Sequence, residues 1–551
     1  MHRLPPSLRS RLASALAALL CLQSAAADGP KVVNIINFIR GNEPREKVDL
    51  LAPVIQQIRL AKQHHLPTTF LLQYDALVDP AFVKLLKSEL GPDDEIGVWL
   101  EVVQPQVEAA GLEWKGRWAW DYNAAVGLTE AYAPDDRKKL MDVFMERFKT
   151  EFGRYPRSAG CWVLDAPTLN YLSDKYHIVA ACNCKDQSGT DGYTLWGGYW
   201  NQAYYPSRLN AYMPAQTKDR QLNVPVFRML GSDPVYQYDH SLGSGRQGVI
   251  SLEPVYRPGG GSPDWTKWFF DVNFKAPCLA FAYTQAGQEN SFGWPAMKVG
   301  LEDQYQRLED GMKQGTLRVE TLEKSGTWFR KTFPQTPATA VVAMNDFKNE
   351  GHRSVWYESR FYRVNFYWEG SSWRIRDLHL FNEAYPERYL NDRVTGSTCL
   401  YDTLPVMDGF HWSTAEEPAG IRALVNTAAG TRELLANGPP TVTEDGPDSL
   451  LITLPVTSGG EMRIHCRPSS LTLEMSGTSA PADWGLELGW SPKKPTGIAA
   501  SDVRSITYQH DHFDYVLRTN HATVARSSPS SFLIRPTANN VVFDFTPVPD
   551  R

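Results

Sequence analysis

Short apolar runs alternate with helical patterns from residue 31 to about residue 330, which is typical of an α/β sheet or barrel with parallel strands. Eight of these runs predict strands, and this number indicates a closed (β/α) barrel of seven or eight strands. Asp79-Pro80 predicts the start of one helix, and Pro134 predicts the start of another that ends at Gly153. The predicted strands cover residues 32–40, 68–77, 95–103, 158–166, 177–186, 224–233, 248–255 and 278–285.

The pattern changes near Pro334, where alternating polar and apolar positions replace the helical patterns. The segment FYRVNFYWEGSSWRIRDLHLF predicts a hairpin with its turn at Glu369-Gly370, and SFLIRPTANNVVFDFTP predicts a second hairpin. A chain of 551 residues is also too long for one hydrophobic core. The predicted fold class is therefore α/β, with a (β/α) barrel of seven to eight strands over residues 28–335 and an all-β sandwich domain over residues 336–551.

The first 27 residues have the three parts of a signal peptide. Arginines at positions 3, 9 and 11 precede an apolar run over residues 12–22, and three alanines at positions 25–27 follow it. The run is too short for an ordinary membrane span, and no later run is long enough for one. We therefore expect cleavage after Ala27, export to the periplasm or the cell exterior, and no transmembrane segment in the mature protein.

Aromatic residues are abundant, with 17 Trp, 24 Tyr and 23 Phe. Aromatic rings suit sugars because ring faces pack against sugar C–H groups while the hydroxyls reach polar partners. The net charge of -6, without a long basic run, gives no electrostatic footprint for nucleic acid. The expected partner is therefore an oligosaccharide or polysaccharide substrate and not a nucleic acid.

Six cysteines lie beyond the predicted signal peptide, too few for a disulfide scaffold but enough for one or two disulfides in an oxidising compartment. Cys182 and Cys184 stand one residue apart, and no His-rich segment lies near them in the sequence. We therefore predict no metal site and no cofactor.

The segment CNCKDQSGTDGYTLWGGYWNQAYYPSR, residues 182–208, is too rich in Gly and Asn for a regular helix, and its Gly pair interrupts strand alternation. It follows the fifth predicted strand, so we expect it at the carboxyl end of the barrel, where it would line the mouth of a pocket. The alternative is a lid whose rings pack against the barrel. The side chains predicted to stack against substrate are Tyr193, Trp196, Trp200 and Tyr205.

Ionisable residues follow most of the predicted strands, and parallel β/α barrels carry their catalytic groups at these carboxyl ends. Glycoside hydrolysis needs two carboxylates, one that protonates the leaving oxygen and one that attacks the anomeric carbon or activates water. Asp165 and Glu253 face each other across the predicted barrel and are the first choice, as nucleophile or base and as general acid. Asp75 and Glu101, at neighbouring strand ends, are the second choice.

Each of these carboxylates also has a structural explanation. Asp165 precedes a helical segment and could cap it. Glu253 could pair with Arg257 on a surface turn, and Glu101 could be the buried partner of Arg40. Catalytic and structural explanations therefore both stand at this point.

Further residues near the predicted rim are assigned to substrate binding. Converging arginines would suit a sugar carboxylate or sulfate through paired hydrogen bonds, so an acidic glycan is an alternative substrate. Internal salt bridges with nearby carboxylates are the structural alternative for the arginines. The residues concerned are Arg40, Arg208, Arg228, Asp233 and Glu289.

The chain combines a strand that ends in QYDAL, the passage FGRYPRSAGCWVLD, the helix and strand TLNYLSDKYHIVAAC, and an all-β region after them. In this combination it resembles the β/α-barrel superfamily that includes the family 57 and family 38 glycosidases and the NodB-type deacetylases. In the glycosidases of this group a nucleophile at strand four and an acid at strand seven are typical. The resemblance therefore implies these roles for Asp165 and Glu253.

The chain departs from the deacetylases of this group, which hold a metal with an Asp pair followed by two His on one turn. Asp75 is followed by Ala76, and the segment GVWLEVVQPQVE contains no His. The hypothesis from the sequence is therefore a secreted, metal-free glycoside hydrolase that cleaves a glycosidic bond with a carboxylate pair. The alternatives are a polysaccharide deacetylase or carbohydrate esterase with an atypical metal site, and a non-catalytic glycan-binding barrel.

Overall fold

The structure is a computed structural model that describes residues 29–428, 430–481 and 483–546. The predicted signal peptide, residues 1–27, lies outside the described residues. None of the helices in these ranges has both the length and the apolar character that a membrane span requires.

The two predicted helix starts are confirmed. Asp79 caps α3 by accepting a hydrogen bond from the N–H of Ala81 at 2.8 Å, and α6 ends at Gly153, whose φ of 73° is left-handed. In the described ranges the helices are α1 (Leu51–Gln63), α2 (Tyr74–Val78), α3 (Pro80–Glu89), α4 (Gln104–Ala109), α5 (Ala124–Gly127), α6 (Pro134–Phe152), α7 (Ala166–Tyr176), α8 (Pro263–Lys275), α9 (Trp294–Lys313) and α10 (Leu322–Thr332).

The described strands up to residue 335 are β1 (Lys31–Ile39), β2 (Thr69–Leu72), β3 (Glu95–Trp99), β4 (Ser158–Gly160), β5 (Ala180–Cys184), β6 (Gln187–Thr190), β7 (Tyr193–Trp196), β8 (Ala203–Tyr204), β9 (Pro206–Ser207), β10 (Asn210–Pro214), β11 (Val226–Met229), β12 (Ala282–Ala286) and β13 (Arg318–Glu320). Seven of them form a parallel sheet in the order β12-β1-β2-β3-β4-β5-β11, with β8 antiparallel to β11 and β13 beside β1. Every residue of β1 is buried, as expected for a strand covered on both faces. Seven of the eight predicted strands are confirmed.

The seventh predicted strand, residues 248–255, is wrong, because this segment forms only an isolated bridge. Pro254 has no N–H and cannot extend a ladder. The segment nevertheless lies where the sheet would close, since the N–H of Leu252 donates to the carbonyl of Leu230 at 2.9 Å, directly after β11. The N–H of Leu230 in turn donates to the side chain of Gln285 in β12 at 3.0 Å, so the barrel is nearly closed.

Beyond residue 335 the described strands are β14 (Thr339–Ala343), β15 (His352–Glu358), β16 (Tyr362–Glu369), β17 (Ser372–Leu380), β18 (Cys399–Asp402), β19 (Leu404–Asp408), β20 (Gly420–Thr427), β21 (Gly430–Glu433), β22 (Thr441–Glu444), β23 (Leu450–Pro455), β24 (Glu461–Arg467), β25 (Ser470–Ser476), β26 (Trp484–Gly489), β27 (Ile498–Ser501), β28 (Ser505–His510), β29 (Phe513–Asn520), β30 (Ala522–Ser528), β31 (Ser531–Pro536) and β32 (Asn540–Asp544). One antiparallel sheet runs β14-β15-β16-β17-β20-β26-β31-β30, with β19 on β17 and β21 on β20. A second runs β22-β23-β24-β25-β32-β29-β28-β27.

The two predicted hairpins have different outcomes. The first is confirmed, because β16 and β17 pair around Gly370, which has a φ of 61°. The second is wrong, because β31 pairs with β26 and β30 whereas β32 pairs with β25 and β29 in the other sheet. Alternation predicts a buried face but does not identify a partner strand. The barrel-like sheet followed by antiparallel sheets agrees with the predicted α/β class.

The two parts of the chain are joined by strand pairing and by a shared apolar core. β18 pairs in parallel with β7, which places Asp402 beside Trp196. The larger core cluster contains both Val32 of β1 and Phe543 of β32. The domain boundary at residue 335 stays a prediction, because this core continues across it. We call the contact between residues 186–205 and the C-terminal strands the junction.

Candidate active site

A cavity of about 460 Å³ lies at the carboxyl ends of the parallel strands. Arg40 directly follows β1, Glu101 follows β3 and Trp162 follows β4, so the cavity gathers residues from separate strands. This volume is typical of small-molecule sites. Its charged and aromatic lining includes Arg40, Glu43, Arg45, Glu101, Trp120, Tyr122, Trp162, Asp191, Tyr193, Glu253, Tyr256, Glu289 and Phe292.

Arg40 is the central cation of the cavity and is only 3% exposed. Its Nε and Nη2 each donate to Glu101 at 3.1 Å, and its Nη1 donates to Glu289 at 3.3 Å. The guanidinium carbon also lies 4.1 Å from the ring centre of Trp120. The indole N–H of Trp162 donates to Glu101 at 3.0 Å. The structure therefore agrees with the structural explanation for Glu101, which holds Arg40 in place.

Glu253 is a buried carboxylate beside a lysine. Lys185 Nζ is 3.9 Å from Glu253 Oε2, and both residues are less than one-tenth exposed. Ser251 Oγ donates to Oε2 at 2.7 Å, and Gln288 Nε2 lies 3.5 Å from Oε1. Burial raises the pKa of Glu253 and lowers the pKa of Lys185, so both groups are shifted towards their neutral forms. A protonated Glu253 is suited to donate a proton to a bound ligand.

Glu289 lines the same cavity and is connected to Glu253 through Gln288. The side-chain carbonyl of Gln288 accepts the backbone N–H of Glu289 at 2.9 Å, while its amide nitrogen faces Glu253. Ser291 Oγ donates to Glu289 Oε1 at 2.5 Å, and Arg40 Nη2 lies 3.2 Å from Oε2. Burial raises the pKa of Glu289, although Arg40 opposes this shift. The cavity lining thus contains both carboxylates, Glu289 beside a guanidinium and Glu253 beside an amine.

Several aromatic rings of the cavity come from segments that the sequence analysis did not select. Trp120 and Tyr122 lie before α5, and Trp162 lies between β4 and α7. Tyr122 is 46% exposed, whereas Trp120 is 2% exposed and its indole N–H has no acceptor within the described chain. A buried donor without an acceptor favours contact with a ligand. The run GRWAWDYN, residues 116–123, carries a signal for these rings, since aromatic residues occupy alternate positions.

The aromatic segment selected from the sequence folds into short strands, and two of its tryptophans face the junction. The indole N–H of Trp196 donates to Asp408 at 2.9 Å. Trp200 stacks on Trp356, with ring centres 4.3 Å apart and planes inclined by 3°. The prediction that Trp196 and Trp200 line the cavity is therefore not met. The C-terminal strands cover both rings.

The two selected tyrosines differ from each other. The hydroxyl of Tyr205 donates to the carbonyl of Phe333 at 2.9 Å, and this ring also lies outside the cavity. Tyr193 lines the cavity, where Gln187 Nε2 donates to its hydroxyl oxygen at 2.6 Å. Tyr205, Trp196 and Trp200 therefore agree with the packed-lid alternative. Tyr193 is the selected ring that is placed for contact with a ligand.

Asp165 and Asp233 both lie outside the cavity with their oxygens in hydrogen bonds. Asp165 is fully buried, caps α7 by accepting the N–H of Thr168 at 2.8 Å, and pairs with Arg137 at 2.9 Å. Asp233 accepts the indole N–H of Trp265 at 3.0 Å. The predicted pair of Asp165 with Glu253 is therefore not assembled, because the helix that follows Asp165 takes its carboxylate as a cap.

Asp75 lies next to the cavity without lining it. Its Oδ1 accepts the N–H groups of Gly41 at 2.9 Å and of Ala76 at 2.7 Å, while Oδ2 has no partner within the described chain. Burial raises the pKa of Asp75 to about 6. The second predicted pair is thus divided, with Glu101 in the cavity and Asp75 outside it.

Two of the three predicted binding arginines lie in salt bridges away from the cavity. Arg208 is exposed and pairs with Asp174 at 3.2 Å. Arg228 is buried and pairs with Asp186 at 2.8 Å. Arg40 reaches the cavity but already has three carboxylate partners, Glu43, Glu101 and Glu289. The structure therefore does not gather the three predicted arginines, and Arg40 lines the cavity with Arg45 instead.

Within the described part of the chain, no group of three or more His, Cys, Asp or Glu side chains is arranged to hold a metal ion. The carboxylates of Glu101 and Glu289 have the guanidinium of Arg40 as their counter-ion.

No protein-family model matches the chain, and no curated protein matches it. Solved structures do match. A protein named as a glycoside hydrolase/deacetylase from Parabacteroides distasonis is 14% identical, covers 69% of this chain and 92% of its own, and has a TM-score of 0.47. A protein named as a polysaccharide deacetylase from Mycobacterium smegmatis is 12% identical, covers 57% of this chain and 95% of its own, and has a TM-score of 0.34. A GH57 branching enzyme from Thermococcus kodakaraensis is 10% identical, covers 55% of this chain and 71% of its own, and has a TM-score of 0.27.

These structural neighbours are named as carbohydrate-processing enzymes, both deacetylases and a family 57 enzyme. The resemblance found in the sequence is confirmed as a likeness of pattern. At identities of 10–14% it assigns no reaction and no residue role to this chain. A functional assignment therefore depends on the geometry of the cavity.

Proposed function

We propose that the protein is a glycoside hydrolase and that Glu253 and Glu289 are its catalytic carboxylates. The observation that carries the proposal is the cavity, which both buried carboxylates line together with aromatic rings at the strand ends. Sugars combine apolar C–H faces with hydroxyls, so rings and carboxylates together match their chemistry. The proposal keeps Glu253 from the predicted pair and replaces Asp165 by Glu289.

Glu253 acts as the general acid. Such a group must be protonated at the working pH, and burial raises the pKa of Glu253 in this direction. Its proton passes to the oxygen of the leaving group as the glycosidic bond breaks. The negative charge that remains on Glu253 then favours the protonated form of Lys185, whose Nζ is 3.9 Å away.

Glu289 acts as the second carboxylate and attacks the anomeric carbon or activates a water. This role requires the ionised form, which Arg40 favours from 3.2 Å, against the burial that raises the pKa of Glu289. Glu101 holds Arg40 from the other side with two hydrogen bonds of 3.1 Å, so the guanidinium cannot turn away from Glu289.

The charge of the lining supports the same reaction. The cavity is lined by seven carboxylates and two guanidinium groups. Glycoside cleavage develops positive charge on the sugar ring, which a surplus of carboxylates stabilises. The same surplus would repel a sugar carboxylate or sulfate, so we propose a neutral glycan as the substrate.

The test is a screen of the protein from residue 28 onwards against aryl glycosides and natural glycans, with and without a chelator. Removal of residues 1–27 on export is part of the proposal. The expected result is sugar release that the chelator does not affect and that Glu253→Gln and Glu289→Gln abolish. Glu108→Gln, on the exposed side of α4, serves as the matched control. Release of acetate, or glycan binding without any product, would contradict the proposal and support an esterase or a binding barrel.

A further inference from the structure

A second group of polar residues with catalytic geometry lies in the junction, outside the cavity. Ser188 Oγ is 3.0 Å from His411 Nε2, and His411 Nδ1 is 2.8 Å from Asp408 Oδ2. Ser188 is in β6 next to Gln187, which lines the cavity, and successive strand side chains point to opposite faces. The Ser-His-Asp chain therefore lies on the face of β6 that is turned away from the cavity.

Asp408 is held as an anion by four hydrogen bonds. Its Oδ1 accepts the backbone N–H groups of Phe410 at 3.0 Å and of His411 at 2.8 Å. Its Oδ2 accepts Trp196 Nε1 at 2.9 Å and His411 Nδ1 at 2.8 Å. Burial opposes ionisation, but His411 and these hydrogen bonds lower the pKa of Asp408 below its usual range. Since an ionised carboxylate only accepts, His411 Nδ1 carries a proton, and Nε2 of the neutral ring accepts the hydroxyl proton of Ser188.

The imidazole of His411 is fixed by its neighbours yet reachable from solvent. The rings of Trp196 and Phe410 contact it with centres 4.8 Å and 5.2 Å away. The side chain is nevertheless 39% exposed. Burial lowers the pKa of His411, but Asp408 raises it above its ordinary value. The ring is thus oriented and made more basic by the carboxylate, as a general base must be.

We propose that Ser188, His411 and Asp408 form a second hydrolytic site, which cleaves carboxylic esters. Ser188 Oγ forms a bond to the ester carbonyl carbon while its proton moves to His411 Nε2. The bond from that carbon to the alcohol oxygen then breaks, and the alcohol leaves with the proton from His411. A water attacks the acyl-serine, gives a proton to His411, and releases the carboxylic acid as the proton returns to Ser188 Oγ.

The space beside Ser188 favours a small acyl group. Ser188 is 6% exposed, and the next residue, Gly189, has a φ of 65°. A Cβ at Gly189 would lie 3.2 Å from the carbonyl oxygen of Gly245 and 3.3 Å from Cγ of Arg246. The exposed loop over residues 241–246 therefore packs close to the serine. An acetyl ester fits this room better than a long-chain ester.

A neighbouring hydroxyl shows how a purely structural residue behaves in this strand. Thr190, two residues from Ser188 in β6, donates to the carbonyl of Gln247 at 3.1 Å. That bond involves no base and no carboxylate. Thr190→Ala is therefore a matched control for Ser188→Ala.

The experiment labels the whole protein from residue 28 with an aryl fluorophosphonate, which reacts with activated serines, and locates the adduct by mass spectrometry. The expected result is an adduct on Ser188 in the unmodified protein, in Thr190→Ala and in Glu253→Gln. Ser188→Ala should lose it, and His411→Gln should slow its formation about 100-fold. Hydrolysis of 4-nitrophenyl acetate, but not of the decanoate, should follow the same order among these proteins.

An unmodified protein that is folded by circular dichroism but gains no adduct on Ser188 would overturn the proposal. Labelling of His411→Gln at the rate of the unmodified protein would also overturn it, because the hydroxyl would then need no base. The result does not depend on glycosidase activity, since Glu253 lies in the other site. If Glu253→Gln lost sugar release but still gained the adduct on Ser188, the two activities would belong to separate sites.

Discussion

The cavity and the junction contain the same kinds of residue but differ in what their polar atoms contact. In the junction the indole N–H of Trp196 reaches Asp408. In the cavity the indole N–H of Trp120 has no acceptor within the described chain. Aromatic density alone therefore does not mark a binding site. Rings whose polar atoms are satisfied within the fold stabilise it, whereas an unsatisfied donor at the strand ends marks a place for a ligand.

Two carboxylates that the sequence makes equivalent differ in where they lie and in what surrounds them. Asp165 caps a helix and pairs with Arg137, so its oxygens already have partners. Glu253 lines the cavity, and its pKa is raised by burial. The predictions below test whether this difference separates structural from catalytic residues.

The largest effect is expected from Glu253→Gln, which removes the proposed general acid. We expect kcat to fall about 1000-fold, since positioned general acids contribute roughly 100- to 10,000-fold. The amide keeps the size of the side chain, so the unfolding midpoint should change little. Initial rates of sugar release and a thermal melt measure both quantities, with Glu108→Gln as the control. An unchanged kcat would remove Glu253 from the mechanism.

The pH dependence of the unmodified enzyme sharpens this prediction. The acid is active when protonated, and burial raises the pKa of Glu253. Activity should therefore be present below this raised pKa and should be lost as the pH rises through it. In Glu253→Gln the residual activity should lack this alkaline limb.

Asp165→Asn should lower stability and leave the chemistry intact. Arg137 is 1% exposed, and it would lose its carboxylate partner. Breaking a buried pair in this way costs about 3 kcal/mol. Urea unfolding measures the loss, and kcat of the folded protein should stay within about twofold of the original. Asp174→Asn, in an exposed pair, is the control. A stable Asp165→Asn protein without turnover would restore the pair predicted from the sequence.

The sequence predicts the elements well because their signals are local. Strand alternation, the cap at Asp79 and the stop at Gly153 are each contained within a few residues, and the structure has all of them. Glu253 lines the cavity although its segment is not a strand, and its catalytic role stays a prediction. The position of Glu253 near the barrel rim, and not its secondary structure, places it in the cavity lining.

The errors in the site have the opposite cause, since the deciding contacts are distant in sequence. Trp196 is covered by Asp408, and Trp200 by Trp356, more than 150 residues away. No local pattern contains such partners. The aromatic alternation in residues 116–123 is a local signal, but it does not show which ring faces a cavity.

A smaller effect is expected from Trp120→Phe, which removes the indole N–H and keeps a ring beneath Arg40. Loss of one hydrogen bond to a glycan costs about 1 kcal/mol, so KM should rise about fivefold at unchanged kcat. Trp200→Phe makes the same change in the junction and should alter the unfolding free energy but not KM. If both variants raised KM equally, Trp120 would have no special role in binding substrate, and the proposed contrast between cavity and junction would be wrong.

The smallest effect is expected from Arg208→Ala. This side chain is 43% exposed and pairs with Asp174 at 3.2 Å, outside the cavity. An exposed ion pair contributes about 0.5 kcal/mol, so the unfolding free energy should change by no more than this. KM should be unchanged for neutral glycans and for glycans with a uronic acid. A tenfold rise in KM confined to the uronic-acid substrates would place Arg208 in contact with substrate and would support the acidic-glycan alternative. Such a result would also mean that the binding surface extends beyond the cavity, towards the exposed edge of α7.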